Sequence, residues 1–99
     1  MPVNPAKGTK ENVVEEELVR RVRAAGGVAE KVTVIGARGF FDRLVLLPGG
    51  RVVFVEVKRP CGGVISPHQI LRHARYETLG AAVAVIRNSA DIDRLLSEP

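Results

Sequence analysis

Apolar residues recur at helical spacing from Asn12 to about Ala25, at Val14, Leu18, Val19, Val22 and Ala25, and the Gly26-Gly27 pair ends the run. That pattern predicts one amphipathic helix of roughly four turns. From Val28 to Ile35 the β-branched content predicts a strand, which the glycines of Gly36-Ala37-Arg38-Gly39 break into a basic loop. Two further apolar runs, Phe40 to Leu47 and Arg51 to Lys58, flank Pro48-Gly49-Gly50, a turn signal at hairpin length, so they are expected to pair antiparallel. Arg59-Pro60-Cys61-Gly62-Gly63 reads as a loop, because Pro60 has no amide for a continuing ladder. Ser66-Pro67-His68-Gln69 then carries the parts of a helix start, with Ser66 as N-cap, Pro67 at the first position and Gln69 three residues on. This helix is expected to reach Leu79, with Gly80 as its cap. Ala81 to Ile86 reads as a buried strand and Asp91 to Leu96 as a short closing helix. The order is αβββαβα without internal repeats, which implies a single α/β domain over residues 11–99 behind a short basic tail, 1–10.

The alternation within Arg51–Lys58 carries the chemistry. Val53, Val55 and Val57 share one face, while the other reads Val52, Phe54, Glu56, Lys58, apolar first and charged at its end. A solvent-facing strand would be polar along that whole face, so the pattern implies a central strand buried on both sides that opens into a site at its C-terminal end. If the hairpin turns about Gly49, opposed residues have numbers summing to about 98. Asp42 then lies across from Glu56, where cross-strand side chains are only ~5 Å apart, and Lys58 shares that face. A strict two-residue loop would shift the register by one and send the two acids to opposite faces. Two carboxylates held that close repel each other and call for a cation. Mg²⁺ suits carboxylates, a backbone carbonyl such as that of Val57, and water; Mn²⁺ is expected to substitute.

The other candidates have structural alternatives. Glu15 lies on or beside the inward stripe of the first helix and could reach the metal through water, or it could close a capping box with Asn12; Glu11 is a substitute. Gln69 is explained by the cap alone, although it can serve the site as well. His68 and His73 read as surface residues, since neither has metal-ligand spacing to another candidate. For Asp42, Glu56 and Lys58 together, the competing reading is an exposed cross-strand salt-bridge cluster.

Composition narrows the function classes. The chain has 99 residues, 45% of them hydrophobic and 26% charged, with a formal charge of +4. These values describe a globular domain with a modest attraction for polyanions. No stretch is long enough to span a membrane, and Met1 to Lys10 carries no secretion signal, so a cytoplasmic location in a bacterial or phage-infected cell is expected. The lone Cys61 cannot form an intrachain disulfide. Only four residues are aromatic, which disfavours a single-strand binder built on stacking platforms and points to contacts with backbone phosphates. Arg38, Arg59, Arg72 and Arg75, with Lys7 and Lys10 on the tail, are the basic residues best placed for them.

At these residues the chain resembles the PD-(D/E)XK nuclease superfamily, and more closely its VRR-NUC branch. The resemblance rests on the first helix with Glu15 and the paired glycines after it, the Gly39-Phe40-Phe41-Asp42 turn, the hairpin from Arg43 to Arg51, the Val55-Glu56-Val57-Lys58 strand, and Gln69 after Ser66. Phe41 departs from the pattern, because the family usually has Pro before the metal-binding Asp. The resemblance implies a restriction-endonuclease-like core, a central mixed sheet flanked by helices. It implies that Asp42 and Glu56 bind metal, that Lys58 assists the attacking water, and that Gln69 and Glu15 belong to the site. It further implies Mg²⁺-dependent hydrolysis of DNA phosphodiesters with 5′-phosphate products. Small stand-alone members look like Holliday-junction resolvases, which implies branched DNA and a homodimer here. The alternatives are a catalytically inactive DNA-binding module of the same fold, and an unrelated α/β interaction module.

Overall fold

The computed structural model describes residues 11–37 and 39–98; the tail 1–10, with Lys7 and Lys10, and the loop residue Arg38 lie outside the described residues. Within them the chain runs α1 (Glu11–Ala24), β1 (Val28–Lys31), β2 (Arg43–Leu47), β3 (Arg51–Val57), α2 (Pro67–Thr78), β4 (Ala82–Ile86) and α3 (Ser89–Ser97). The αβββαβα order predicted from the hydrophobic pattern is the order observed. One four-stranded sheet has the order β1-β2-β3-β4, with the first three strands antiparallel and β4 parallel to β3. Only this last pairing requires a crossover, and α2 provides it.

Burial follows strand parity. Val53, Val55 and Val57 of β3 join Ala29, Val45 and Ile86 on one face of the sheet. The stripe Val14, Leu18 and Val22 of α1, one residue per turn, packs there with Ile92 and Leu95 of α3. The opposite face bears Phe54 and Glu56 and is covered in part by α2, whose buried side chains are Gln69 and His73. Buried Glu56, Gln69 and His73 make that second layer the candidate site.

Strand ends differ from the sequence pattern for a definable reason. The strand expected to reach Ile35 stops at Lys31, because β1 pairs only with β2 and its last partner, Arg43, is the first residue of β2. Without a neighbour to complete the ladder, Val32 to Ile35 have no strand to join. The hairpin turns through Pro48-Gly49-Gly50, and both glycines have positive φ, 87° and 77°. This three-residue turn pairs Leu47 with Arg51 and Arg43 with Val55, so opposed residues sum to 98. Asp42 and Glu56 thereby fall on one face.

Gly27 locks α1 to this hairpin. A Cβ there would overlap the carbonyl oxygen of Leu46 and stand 3.1 Å from the Leu47 side chain, so the chain can cross β2 only without one. Backbone cannot yield as a flexible side chain can. Gly27→Ala should therefore cost about 3 kcal/mol and lower the melting temperature by more than about 10 °C. Gly49→Asn, at a positive φ that Asn tolerates and with open space around it, should shift melting by only a few degrees. Thermal denaturation followed by circular dichroism checks both; a Gly27→Ala protein that melts like the wild type would contradict the close approach.

Candidate active site

Glu56 is the centre of the site. It is the penultimate residue of β3 and only 2% exposed, yet it carries a carboxylate. Gln69 Nε2 donates to its Oε2 at 2.8 Å. Lys58 Nζ is 3.7 Å from the same oxygen. His73 Nε2 stands 3.8 Å from Oε1, and both of these atoms are buried without a hydrogen-bond partner. Burial, the charge of Asp42 and a contact with the Asp42 carboxyl raise the Glu56 pKa to about 8, against the smaller opposing pull of Lys58. Desolvation is the largest of these effects, so the nearby ammonium does not win.

Asp42 lies one residue before β2. Its amide donates to the Val55 carbonyl at 3.0 Å. Its Oδ2 accepts the Val57 amide at 2.7 Å, in the place that a further β2 residue would occupy. A residue in an antiparallel strand turns its N–H and C=O to the same side, so the Val57 carbonyl also opens where β2 has ended, beside Asp42. Lys58 is held on the other side, its amide donating to the Ile86 carbonyl at 3.0 Å. The Asp42 and Glu56 carboxyls therefore meet at the end of β3, with the Val57 carbonyl on the same strand edge as the amide that Asp42 binds. Among the described residues no cluster of three or more Asp, Glu, His or Cys has metal-binding geometry. The oxygen set fits an ion that keeps much of its water, as Mg²⁺ does, rather than a closed protein cage. The Asp42 charge that helps raise the Glu56 pKa is a concentration of negative charge that a cation would offset.

Gln69 both caps α2 and reaches Glu56. Its Oε1 accepts the Ser66 amide at 2.9 Å and its own amide donates to Ser66 Oγ at 3.2 Å, completing a capping box. The nitrogen of the same side-chain amide is left to hold Glu56. The cap thus orients a group in the site.

Other residues fall differently. Glu15 does not cap with Asn12, because the helix already includes Glu11 and Asn12; its Oε2 instead accepts from Arg43 Nε at 2.7 Å. Arg43 also donates to the Ala29 carbonyl, so this pair ties α1 to the start of β2. Glu11, by contrast, is among the charges that raise the Glu56 pKa. His68 is exposed as expected, but His73 is not a surface residue: it is 9% exposed, and burial lowers its pKa. It lies one turn after Gln69, so both project to the same side of α2.

The four aromatic residues form one cluster, which the sequence pattern does not reveal. Phe41 is 1% exposed and packs on Phe54 and Tyr76 with ring centroids 5.3 Å away in each case, on Phe40 at 5.4 Å, and stacks on His73 at 4.9 Å with planes 14° apart. The turn before Asp42 is fixed here by ring packing where the related pattern uses proline.

Basic groups border the site. Arg72 lies over the Phe40 ring at 5.2 Å, and with His68 and Arg75 it follows i, i+4, i+7 spacing along α2 beside a shallow groove. Arg59 is exposed in the loop after Lys58. Arg87, which no sequence motif singles out, donates to the Gly63 carbonyl at 2.6 Å and pins that loop.

No family model matches the chain. The p44 protein of Acyrthosiphon pisum secondary endosymbiont phage 1, which carries a provisional nuclease name, is 44% identical over 87 residues, 88% of this chain and 91% of p44. A solved structure described as a VRR_NUC domain superposes with a TM-score of 0.81 at 34% identity, over 92% of this chain and 98% of that one. Likeness of this extent in both sequence and fold, with the acids, the lysine and the glutamine gathered at one strand end, places the chain in the VRR-NUC family.

Proposed function

We propose that this VRR-NUC nuclease is a Mg²⁺-dependent DNA endonuclease, with Asp42, Glu56 and the Val57 carbonyl as the metal-holding groups and Mn²⁺ as a substitute ion. The observation that carries the reading is the forced meeting of two carboxylates, one of them buried, beside the Lys58 ammonium. Bound Mg²⁺ supplies neutralisation of the scissile phosphate and a lowered pKa for the attacking water. Gln69 keeps the Glu56 carboxylate turned toward Asp42. Lys58 holds the water in line with phosphorus and offers positive charge as negative charge builds on the phosphate, a contribution of a few kcal/mol when the donor is preorganised. Glu11 and Glu15 are both candidates for an outer role from α1.

Arg59, Arg72 and Arg75 are proposed to hold the flanking backbone, with Arg38, Lys7 and Lys10 as further contacts by charge. Branched DNA is the proposed substrate, as the resemblance carried by the sequence motifs implies. A homodimer belongs to the same reading, supported by the half-exposed row Val28, Leu46 and Val52, which are cross-strand neighbours on the sheet face. Among the described residues, no helix is long and apolar enough to cross a membrane.

Four-way junction, flap and linear duplex DNA incubated with Mg²⁺ test the proposal. Glu56→Ala should reduce cutting at least about 10³-fold and Lys58→Ala about 10²- to 10³-fold, while both still shift DNA in a gel. Equal cutting by the variants would expose a contaminant, and binding without cutting by the wild type would identify an inactive DNA-binding module.

The raised pKa of Glu56 gives a second test. Because its folded value, about 8, lies above the ordinary value of 4.5, the folded protein keeps a proton that the unfolded chain releases. Metal-free protein should therefore lose stability as pH rises from about 4.5 to about 8, and Glu56→Gln should remove that loss. Mg²⁺ must displace the same proton, so its affinity should rise about tenfold per pH unit toward pH 8 and then level. Melting curves in EDTA and calorimetric Mg²⁺ titrations check these; a wild type and Glu56→Gln pair with parallel pH profiles would contradict them.

A further inference from the structure

We propose that His73 is a positioning residue that holds the second oxygen of Glu56 through its Nε2–H, as Gln69 holds the first. The inference rests on the metal-site reading above and names a residue that reading does not use. Nε2 of His73 and Oε1 of Glu56 face each other at 3.8 Å, about an ångström beyond hydrogen-bond length. Both atoms are buried and neither has another hydrogen-bond partner. Buried polar atoms rarely stay unpaired, and here each is placed to satisfy the other.

The ring is set for this task from its other side. It stacks nearly parallel on Phe41, which is itself buried among Phe40, Phe54 and Tyr76, so the imidazole plane is fixed by rigid neighbours. Phe41 immediately precedes Asp42. The same imidazole therefore faces one carboxylate directly and packs on the turn that presents the other. Groups that orient a metal-binding carboxylate from behind are commonly worth 10- to 100-fold in metal affinity.

The test separates this role from packing. His73→Phe keeps a flat ring on Phe41 and removes the donor; His73→Gln keeps a donor near the Nε2 position and removes the stack. Mn²⁺ affinity, read by electron paramagnetic resonance titration of the whole protein, should fall about 10- to 100-fold in His73→Phe and return to within about threefold of wild type in His73→Gln. Melting should follow the opposite order, with His73→Phe the more stable of the two. Wild-type affinity in the His73→Phe variant, or affinity and melting falling together in both variants, would overturn the proposal. Nitrogen chemical shifts of His73 in the wild type add a reading that needs no variant: the ring should be protonated at Nε2, and a ring protonated only at Nδ1 would overturn it. If the wild type binds Mn²⁺ no better than the Glu56→Gln variant does, the metal-site reading itself fails, an outcome distinct from the failure of His73 alone.

Discussion

A carboxylate buried beside another carboxylate at the end of a central strand is the constraint around which this domain is arranged. Glu56 is almost inaccessible to water, and burial outweighs the attraction of Lys58 in setting its protonation. An acid in that position destabilises the fold unless a proton, hydrogen bonds or a cation compensate it. Gln69 supplies a hydrogen bond and Lys58 a nearby charge, and burial shifts the acid toward its protonated form. The arrangement therefore places a destabilising acid where the proposed cation would offset it, a use of spare stability common at functional sites.

The site depends on strand parity more than on any single contact. Three residues between β2 and β3 put Asp42 and Glu56 on one face, and a two-residue turn would have separated them. The two-face pattern of β3 is legible in the sequence because a strand that is apolar on both sides and charged only at one end must be buried for most of its length. The register is legible only conditionally, through the Pro48-Gly49-Gly50 turn. Strand limits are not, because they depend on partners: β1 ends where β2 begins, and β2 begins where the Asp42 side chain takes over an amide from the ladder.

What sequence spacing cannot show is what docking of α2 creates. His73 has no metal-ligand spacing to any candidate, and only the packing of the helix across the sheet brings it to Glu56. The i, i+4 relation to Gln69 is the available signal, since a residue one turn from a site group on the same helix face shares its environment. Glu15 is the reverse case. Its place beside the inward stripe follows from the periodicity, but its partner, Arg43, sits next to Asp42 in sequence, and periodicity carries no information about which charge a helix will meet.

The aromatic cluster accounts for the survival of the pattern with Phe41 in place of proline. A proline before the acid would restrict the backbone by fixing φ, a local constraint. Phe41 has no such restriction, and its position comes from contacts with residues on β3 and α2 that are far away in sequence. The acid-bearing turn is thus held from two sides, by β3 through Phe54 and the Val55 and Val57 backbone, and by α2 through His73 and Tyr76. α2 also brings Gln69 and His73 to Glu56, so the same helix contacts the surroundings of both acids. Replacing a local constraint with a tertiary one couples the two halves of the site, and the four aromatic residues, scarce in this chain, are all committed to that coupling.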